Sequence, residues 1–147
     1  MSVAISGPPP DAEGARVDLG LLRRRTRALL GALGHARSEL SLSLVDDPEI
    51  RRLNREWRKI DRATDVLSFS LLEGEHGRRR GRLLGDVVVS VETAARQARR
   101  AHRSLDETVI RLVIHGVLHV LGHDHVRPRE TRAMRAEERR LWQELRG

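Results

Sequence analysis

Cysteine is absent from this chain of 147 residues, which excludes both a disulfide framework and a thiolate zinc site. Tyrosine is absent too, and the aromatic side chains are limited to Trp57, Phe69 and Trp142. A protein that reads unpaired bases usually offers several aromatic stacking platforms. We therefore expect any contact with nucleic acid to rely on arginine and the backbone, with weak sequence discrimination.

Long apolar runs are also missing, since no stretch approaches the roughly 20 residues that cross a bilayer. The N-terminal residues lack the basic region and long apolar run of a secretory signal. The length fits one domain over residues 1–147. We expect a single soluble, cytoplasmic domain with no membrane partner.

Lysine is nearly absent: Lys59 is the only one, and arginine supplies 27 of the 28 basic residues. The formal net charge is +7 and the isoelectric point is about 11.4. This balance favours a polyanionic partner such as nucleic acid. It also fits a GC-rich genome that replaces lysine with arginine, in which case the charge only keeps the protein soluble. Charge alone does not separate the two interpretations.

Apolar periodicity predicts helices and strands that do not alternate strictly, which favours an α+β layer fold. Asp18 and Ser104 have the positions of helix N-caps, and Asp47 before Pro48 predicts a third. The helix after Ser104 is apolar almost all round, so we expect it to be the buried central helix. The predicted helices cover about 18–34, 47–57, 91 onward, 104 onward and 129–145, and the predicted strands 39–45, 66–72 and 83–90.

Four of the seven histidines lie between His115 and His125. His115 and His119 are four residues apart, so on a helix both imidazoles leave the same face. Gly122 can end that helix and return His125 to the same point. Burying these imidazoles without a shared partner would cost about 1–3 kcal/mol each. Three converging imidazoles with one open position predict a catalytic zinc site with one Zn²⁺ ion, although core histidines are the alternative.

The spacing of these histidines equals that of the metzincin proteases, whose general base is a glutamate after the first histidine. Gly116 stands at that position, so proteolysis is disfavoured. Zinc alone can still bring the pKa of bound water to about 7 and polarise a phosphoryl oxygen. Asp124 is a candidate hydrogen-bond acceptor for a ligand imidazole, and His123 fits an ordinary surface residue equally well.

Three segments in order resemble the signature motifs of the YbeY family of bacterial endoribonucleases. They are His-Gly-x-Leu-His-x-x-Gly-x-Asp-His at 115–125, Thr-Asp-Val-Leu-Ser-Phe at 64–69 and Leu-Gly-Asp-Val-Val-Val-Ser at 84–90. Leu53-Asn54 and Trp57-Arg58 agree as well. The resemblance covers about residues 40–134. The proline-rich N-terminal segment departs from the family pattern, as does His123, where the family often has tyrosine.

The resemblance implies that His115, His119 and His125 are the metal ligands and that Arg58 and His115 are catalytic. It further implies a small mixed β-sheet packed with helices, with the metal site on the central helix. The implied substrate is single-stranded RNA, with no DNA expected, in rRNA maturation and ribosome quality control on the small ribosomal subunit.

Arg58 suits this role on chemical grounds, because a guanidinium can meet two oxygens of a phosphodiester with parallel hydrogen bonds. Without the resemblance, a solvated surface arginine would be the simpler interpretation. The residues identify no general base. Two other functions stay open: a non-catalytic RNA-binding ribosome-assembly factor with a structural zinc, and a zinc peptidase. Asp65 and Asp86 are further polar candidates, which structural capping explains as well. The arginine runs at 23–25 and 78–80, the second with Arg82, are candidate phosphate contacts. Solvated surface is the favoured interpretation of the first run, whereas the second lies in a polar connection and could reach along a strand of RNA.

Overall fold

The computed structural model describes residues 3–7, 16–71, 82–122 and 128–146. In this part of the chain four strands and five helices form a mixed α+β fold. The elements, in chain order, are β1 (Val3–Ser6), α1 (Leu19–Ala32), β2 (Glu39–Val45), α2 (Asp47–Arg58), β3 (Val66–Ser70), β4 (Leu83–Ser90), α3 (Val91–Ala101), α4 (Leu105–Val120) and α5 (Pro128–Arg146). The α+β expectation is confirmed, and the helix and strand positions agree closely with those predicted.

The sheet has the strand order β1-β2-β4-β3 and contains both strand directions. β1 and β2 are parallel, β2 and β4 are parallel, and β3 runs antiparallel to β4. β1 was not predicted as a strand. Its four residues are too few for a periodic signal, and pairing with β2 beside the buried Val3 decides its conformation.

The two faces of the sheet carry different cores. The larger core contains α4, with Val109, Val113 and Val117 fully buried, and Val87 of β4. The smaller core lies on the other face, where Ile50 of α2 meets Leu67 and Val88. Neighbouring residues of β4 belong to different cores because successive side chains of a strand point to opposite faces. The central buried helix predicted from composition is therefore confirmed.

The residues predicted from the sequence to cap helices do so, except at the start of α2. Asp18 and Ser104 cap α1 and α4 by accepting from the Leu21 and Glu107 amides. The cap of α2 is Asp46, not Asp47, because Asp46 has extended backbone and accepts from Glu49 N at 3.0 Å. Gly122, at φ +100°, follows the end of α4 as predicted. No helix among the described residues is long and apolar enough to cross a membrane.

Candidate active site

His115 and His119 project from one face of α4 into a common cleft. Their Nε2 atoms are 3.0 Å apart, and the ring centroids are separated by 4.6 Å. Zinc–nitrogen bonds of 2.0–2.1 Å in a tetrahedral site would place two ligand nitrogens about 3.3 Å apart. The pair therefore has the spacing that one metal ion can share, and it follows directly from the i, i+4 relation on a straight helix.

Glu138 of α5 fixes the orientation of the first histidine. Its Oε1 lies 2.7 Å from His115 Nδ1, and both side chains are about two-thirds buried. With Nδ1–H donating to the carboxylate, the Nε2 lone pair points to the cleft, as metal-binding imidazoles require. Sequence reasoning missed Glu138 because it lies 23 residues from His115, and only the packing of α5 on α4 brings the two together.

Arg58, the last residue of α2, lines the same cleft and belongs to a different wall from the histidines of α4. Its Nη2 donates to Ser68 O at 2.9 Å, and its guanidinium carbon lies 5.9 Å from the centre of the Phe69 ring. These contacts hold the guanidinium in place. A guanidinium carries five N–H donors, so the hydrogen bond to Ser68 uses only part of its capacity. An anion in the cleft can meet the remainder.

Residues 60–65 form the wall that follows Arg58. Lys59 takes a left-handed conformation, at φ 62°, and turns the chain out of α2. Asn54, which is buried, donates from Nδ2 to Arg62 O at 2.9 Å and accepts at its backbone oxygen from Ile60 N. One side chain of α2 thus fastens the wall of the cleft to the helix.

The cleft has a volume of about 290 Å³, and Arg58, His115, His119, Asp65 and Ser68 are among its lining residues. Asp65 uses its carboxylate structurally, accepting from Val66 N at 2.8 Å and Gln97 Nε2 at 3.0 Å. The structure therefore brings Arg58 and the two histidines together, and it explains Asp65 by strand and helix anchoring.

Gly116 is explained by packing. A Cβ atom there would come within 2.8 Å of Val87 Cγ1 and 3.3 Å of Val66 Cγ2. The position faces strands β3 and β4, so a glutamate could not be accommodated without moving the helix from the sheet. The glycine lets α4 approach the sheet closely and leaves the general-base position of metzincin proteases without a carboxylate.

Several sequence candidates lie elsewhere. Asp86 lines a groove on the other face of the sheet, beside Trp57 and Phe69. Arg25 stacks on the Trp142 ring at 5.3 Å, so packing accounts for part of the first arginine run. The run at 78–80 and residues His123, Asp124 and His125 lie outside the described residues. Within the described ranges, no group of three or more metal-binding side chains occurs.

A family model described as Endoribonuclease YbeY matches residues 21–146, which include both walls of the cleft. The chain belongs to the YbeY family. The Endoribonuclease YbeY of Anaeromyxobacter dehalogenans is 49% identical over 141 residues, covering 96% of this chain and 70% of that protein. The Geobacter metallireducens protein of the same name is 43% identical over 123 residues, covering 82% of each.

One more relative of the YbeY family and one solved structure are also similar to this chain. An Endoribonuclease YbeY from Myxococcus xanthus is 53% identical over 121 residues, 82% of this chain and 41% of that protein. A solution structure from Thermotoga maritima superimposes with a TM-score of 0.66 at 25% identity, covering 97% of this chain and 88% of the other. The family predicted from the sequence is confirmed. Of the predicted fold, the α+β class with a small mixed sheet packed by helices is confirmed.

Proposed function

We propose that this chain is one metal-dependent endoribonuclease domain that cleaves single-stranded RNA. The observation that carries the proposal is the shared cleft, which Arg58 lines together with a pair of histidines whose Nε2 atoms are 3.0 Å apart. The names of the relatives state endoribonuclease activity for those proteins. The +7 net charge suits a polyanionic substrate.

The metal ligands in this proposal are His115, His119 and His125, with zinc as the ion. The donor set fits zinc: two imidazole nitrogens converge, and Glu138 holds the proton of one ring on the far nitrogen. When bound, zinc supplies Lewis-acid polarisation of a phosphoryl oxygen and lowers the pKa of water toward neutrality. The assignment of His125 rests on its place in the motif.

Arg58 stabilises the negative charge that grows on the phosphodiester during cleavage. In the displacement, charge spreads over the equatorial phosphate oxygens, and a fixed guanidinium can donate two parallel hydrogen bonds to them. Ser68 and Phe69 hold the guanidinium before substrate arrives. A donor that is positioned in advance costs no reorganisation during the reaction.

The size of the cleft favours a single strand. At about 290 Å³ it lies just below the range for small-molecule sites, so its size suits one nucleotide of an unpaired strand. We further propose that the substrate is precursor rRNA of the small ribosomal subunit in the cytoplasm, in maturation and quality control. This follows the family resemblance.

The test uses purified protein and an unstructured RNA labelled at its 5′ end. We expect cleavage that stops on chelation and returns with zinc, and no cleavage by His115→Ala. The end groups identify the nucleophile. A 2′,3′-cyclic phosphate on the labelled fragment marks attack by the 2′-hydroxyl, whereas a 3′-hydroxyl on that fragment, with a 5′-phosphate on the other, marks attack by water. Equal cleavage by wild type and His115→Ala would indicate a contaminating nuclease. RNA binding without cleavage would favour an assembly factor, and proteolysis lost on chelation would favour a peptidase.

A further inference from the structure

A second concavity adjoins the wall formed by residues 60–65, and Asp61, Arg62 and Ala63 of that wall line it. Its volume is about 720 Å³, and four arginines and two aspartates line it: Arg51, Arg52, Arg55, Arg62, Asp47 and Asp61. We call it the arginine groove. Arg62 lines both this groove and the cleft that contains His115. The two concavities are therefore neighbours across one short segment of chain.

The exposed guanidiniums of the arginine groove are held in place by a single carboxylate. Arg51 Nε donates to Asp61 Oδ1 at 2.9 Å, and Arg55 Nη1 lies 3.7 Å from the same oxygen. Both arginine side chains are more than half exposed, at 55% and 59%. Because Asp61 carries one negative charge and the two arginines carry two positive charges, the group has a net charge of +1. The ion pairs also orient the guanidiniums, and oriented, net positive guanidiniums favour binding of a phosphate.

The other charges lining the groove are engaged within the protein. Arg52 bridges Glu49 and Glu56 along α2, at 2.5 and 2.8 Å. Asp47 accepts from Ser90, Thr93 and Arg96 at the start of α3. Arg52 with its two glutamates carries a net charge of −1, and Asp47 is neutralised by Arg96. The positive charge offered to a ligand therefore comes from Arg62 and from Arg51 and Arg55, which share the single negative charge of Asp61.

We propose that the arginine groove binds backbone phosphates of the RNA strand that continues beyond the cleft, crossing the wall at Arg62. The inference rests on the proposed function, since it extends the path of the same substrate. The groove adjoins the cleft at Arg62, which favours RNA over an acidic protein segment as its ligand. An RNA strand bound at Arg58 would reach the groove with its next nucleotides. The groove then adds affinity for longer substrates without reading their sequence.

The experiment measures binding of a trinucleotide and of an unstructured dodecamer to chelated protein, across a salt series. For Arg51→Gln with Arg55→Gln, we expect the slope of log affinity against log salt for the dodecamer to fall by about 1.4, since each lost phosphate contact contributes about 0.7. Binding of the trinucleotide to the chelated protein, and its cleavage by a separate zinc-loaded sample, stay at the wild-type level, because the trinucleotide occupies the cleft alone. The matched control is Arg24→Gln with Arg27→Gln, two exposed arginines of α1 with the same change in charge.

An unchanged dodecamer slope in the groove variant, or an equal fall in the α1 control, overturns the inference. If the double variant is not folded, Arg55→Gln alone keeps the Arg51–Asp61 ion pair, and its expected fall is about 0.7. If the wild-type protein cleaves RNA and the groove variant binds the dodecamer as wild type does, the arginine groove is not an RNA site, but the proposed function stands. Wild-type protein that neither binds nor cleaves RNA refutes both.

Discussion

The two walls of the cleft are built by different forces. The histidine wall belongs to α4, whose apolar side chains are buried against the sheet, and Gly116 permits contact with Val87. The arginine wall consists of the end of α2 and residues 60–65, where the side chains of Arg58 and Ile60 are exposed. Hydrogen bonds from Asn54 and to Ser68 hold it in place.

This difference suits the two walls to different ligands. Packing gives the histidine pair a fixed spacing, which suits groups that share one ion. Hydrogen bonds leave the arginine wall open to solvent, which suits a group that meets an incoming phosphate. We expect mutations in the two walls to have different effects. Substitutions that change packing in the histidine wall should affect stability, and substitutions of polar groups in the arginine wall should affect RNA binding and cleavage.

The largest effect is expected at Gly116, where Gly116→Glu should strongly destabilise the fold because even its Cβ atom would come within 2.8 Å of Val87 Cγ1. The smaller change Gly116→Ala should cost about 1–3 kcal/mol by overpacking against Val87. The control is Gly31→Ala on α1, where a Cβ meets nothing within 4 Å and about 0.5–1 kcal/mol should be gained. Denaturant unfolding measures both. Equal stabilities for the two alanine variants would refute the packing account of Gly116.

The next effect concerns the orientation of His115. Glu138→Ala should weaken zinc affinity about 10–100-fold, because the imidazole loses the acceptor that fixes its Nδ1 proton. Glu144→Ala is the matched control, since Glu144 pairs with Arg140 on the same helix away from the histidines. Competition with a chromogenic chelator gives both affinities. If both variants lose the same zinc affinity, the cause is the change in net charge, and the role given to Glu138 in orienting His115 is wrong.

Asn54 tests how the arginine wall is held. Asn54→Ala removes the buried donor to Arg62 O, and the unsatisfied carbonyl should cost about 1–2 kcal/mol of unfolding free energy. We also expect RNA cleavage to fall while zinc affinity stays at the wild-type level, because the histidine wall does not depend on this bond. Weaker zinc binding in this variant would mean that the two walls are coupled.

The smallest effect is a pH dependence at the start of α2. Burial raises the pKa of the Asp47 carboxyl, but hydrogen bonds from Ser90, Thr93 and Arg96 outweigh it, so the pKa lies below its ordinary value of 3.8. The stabilisation is therefore complete above pH 3.8 and is lost as the pH falls through the lower folded-state value. Asp47→Asn should reduce stability at neutral pH and flatten the acid limb of the unfolding free energy. An acid limb as steep as that of wild type would contradict this.

The histidine wall could be predicted from the sequence because it depends on local spacing. The i, i+4 histidines, the apolar surroundings of α4 and the glycine at 122 each have a helical signature. Glu138 carried no such signal, because its contact depends on how α5 packs on α4. Asp47 was predicted as a cap and instead ties α2 to α3, since Asp46 takes the extended conformation. The sequence patterns could not predict these polar contacts, because each joins residues that are far apart in the chain.

The most direct measurement compares zinc content and RNA cleavage in Arg58→Ala and His115→Ala. We predict that His115→Ala loses both. Arg58→Ala should keep one zinc ion per chain and cleave about 10²–10³-fold more slowly, as expected on removing a donor to transition-state charge. Arg58→Ala that retains wild-type cleavage, or His115→Ala that retains its zinc, would contradict the account of a cleft with one metal wall and one phosphate wall.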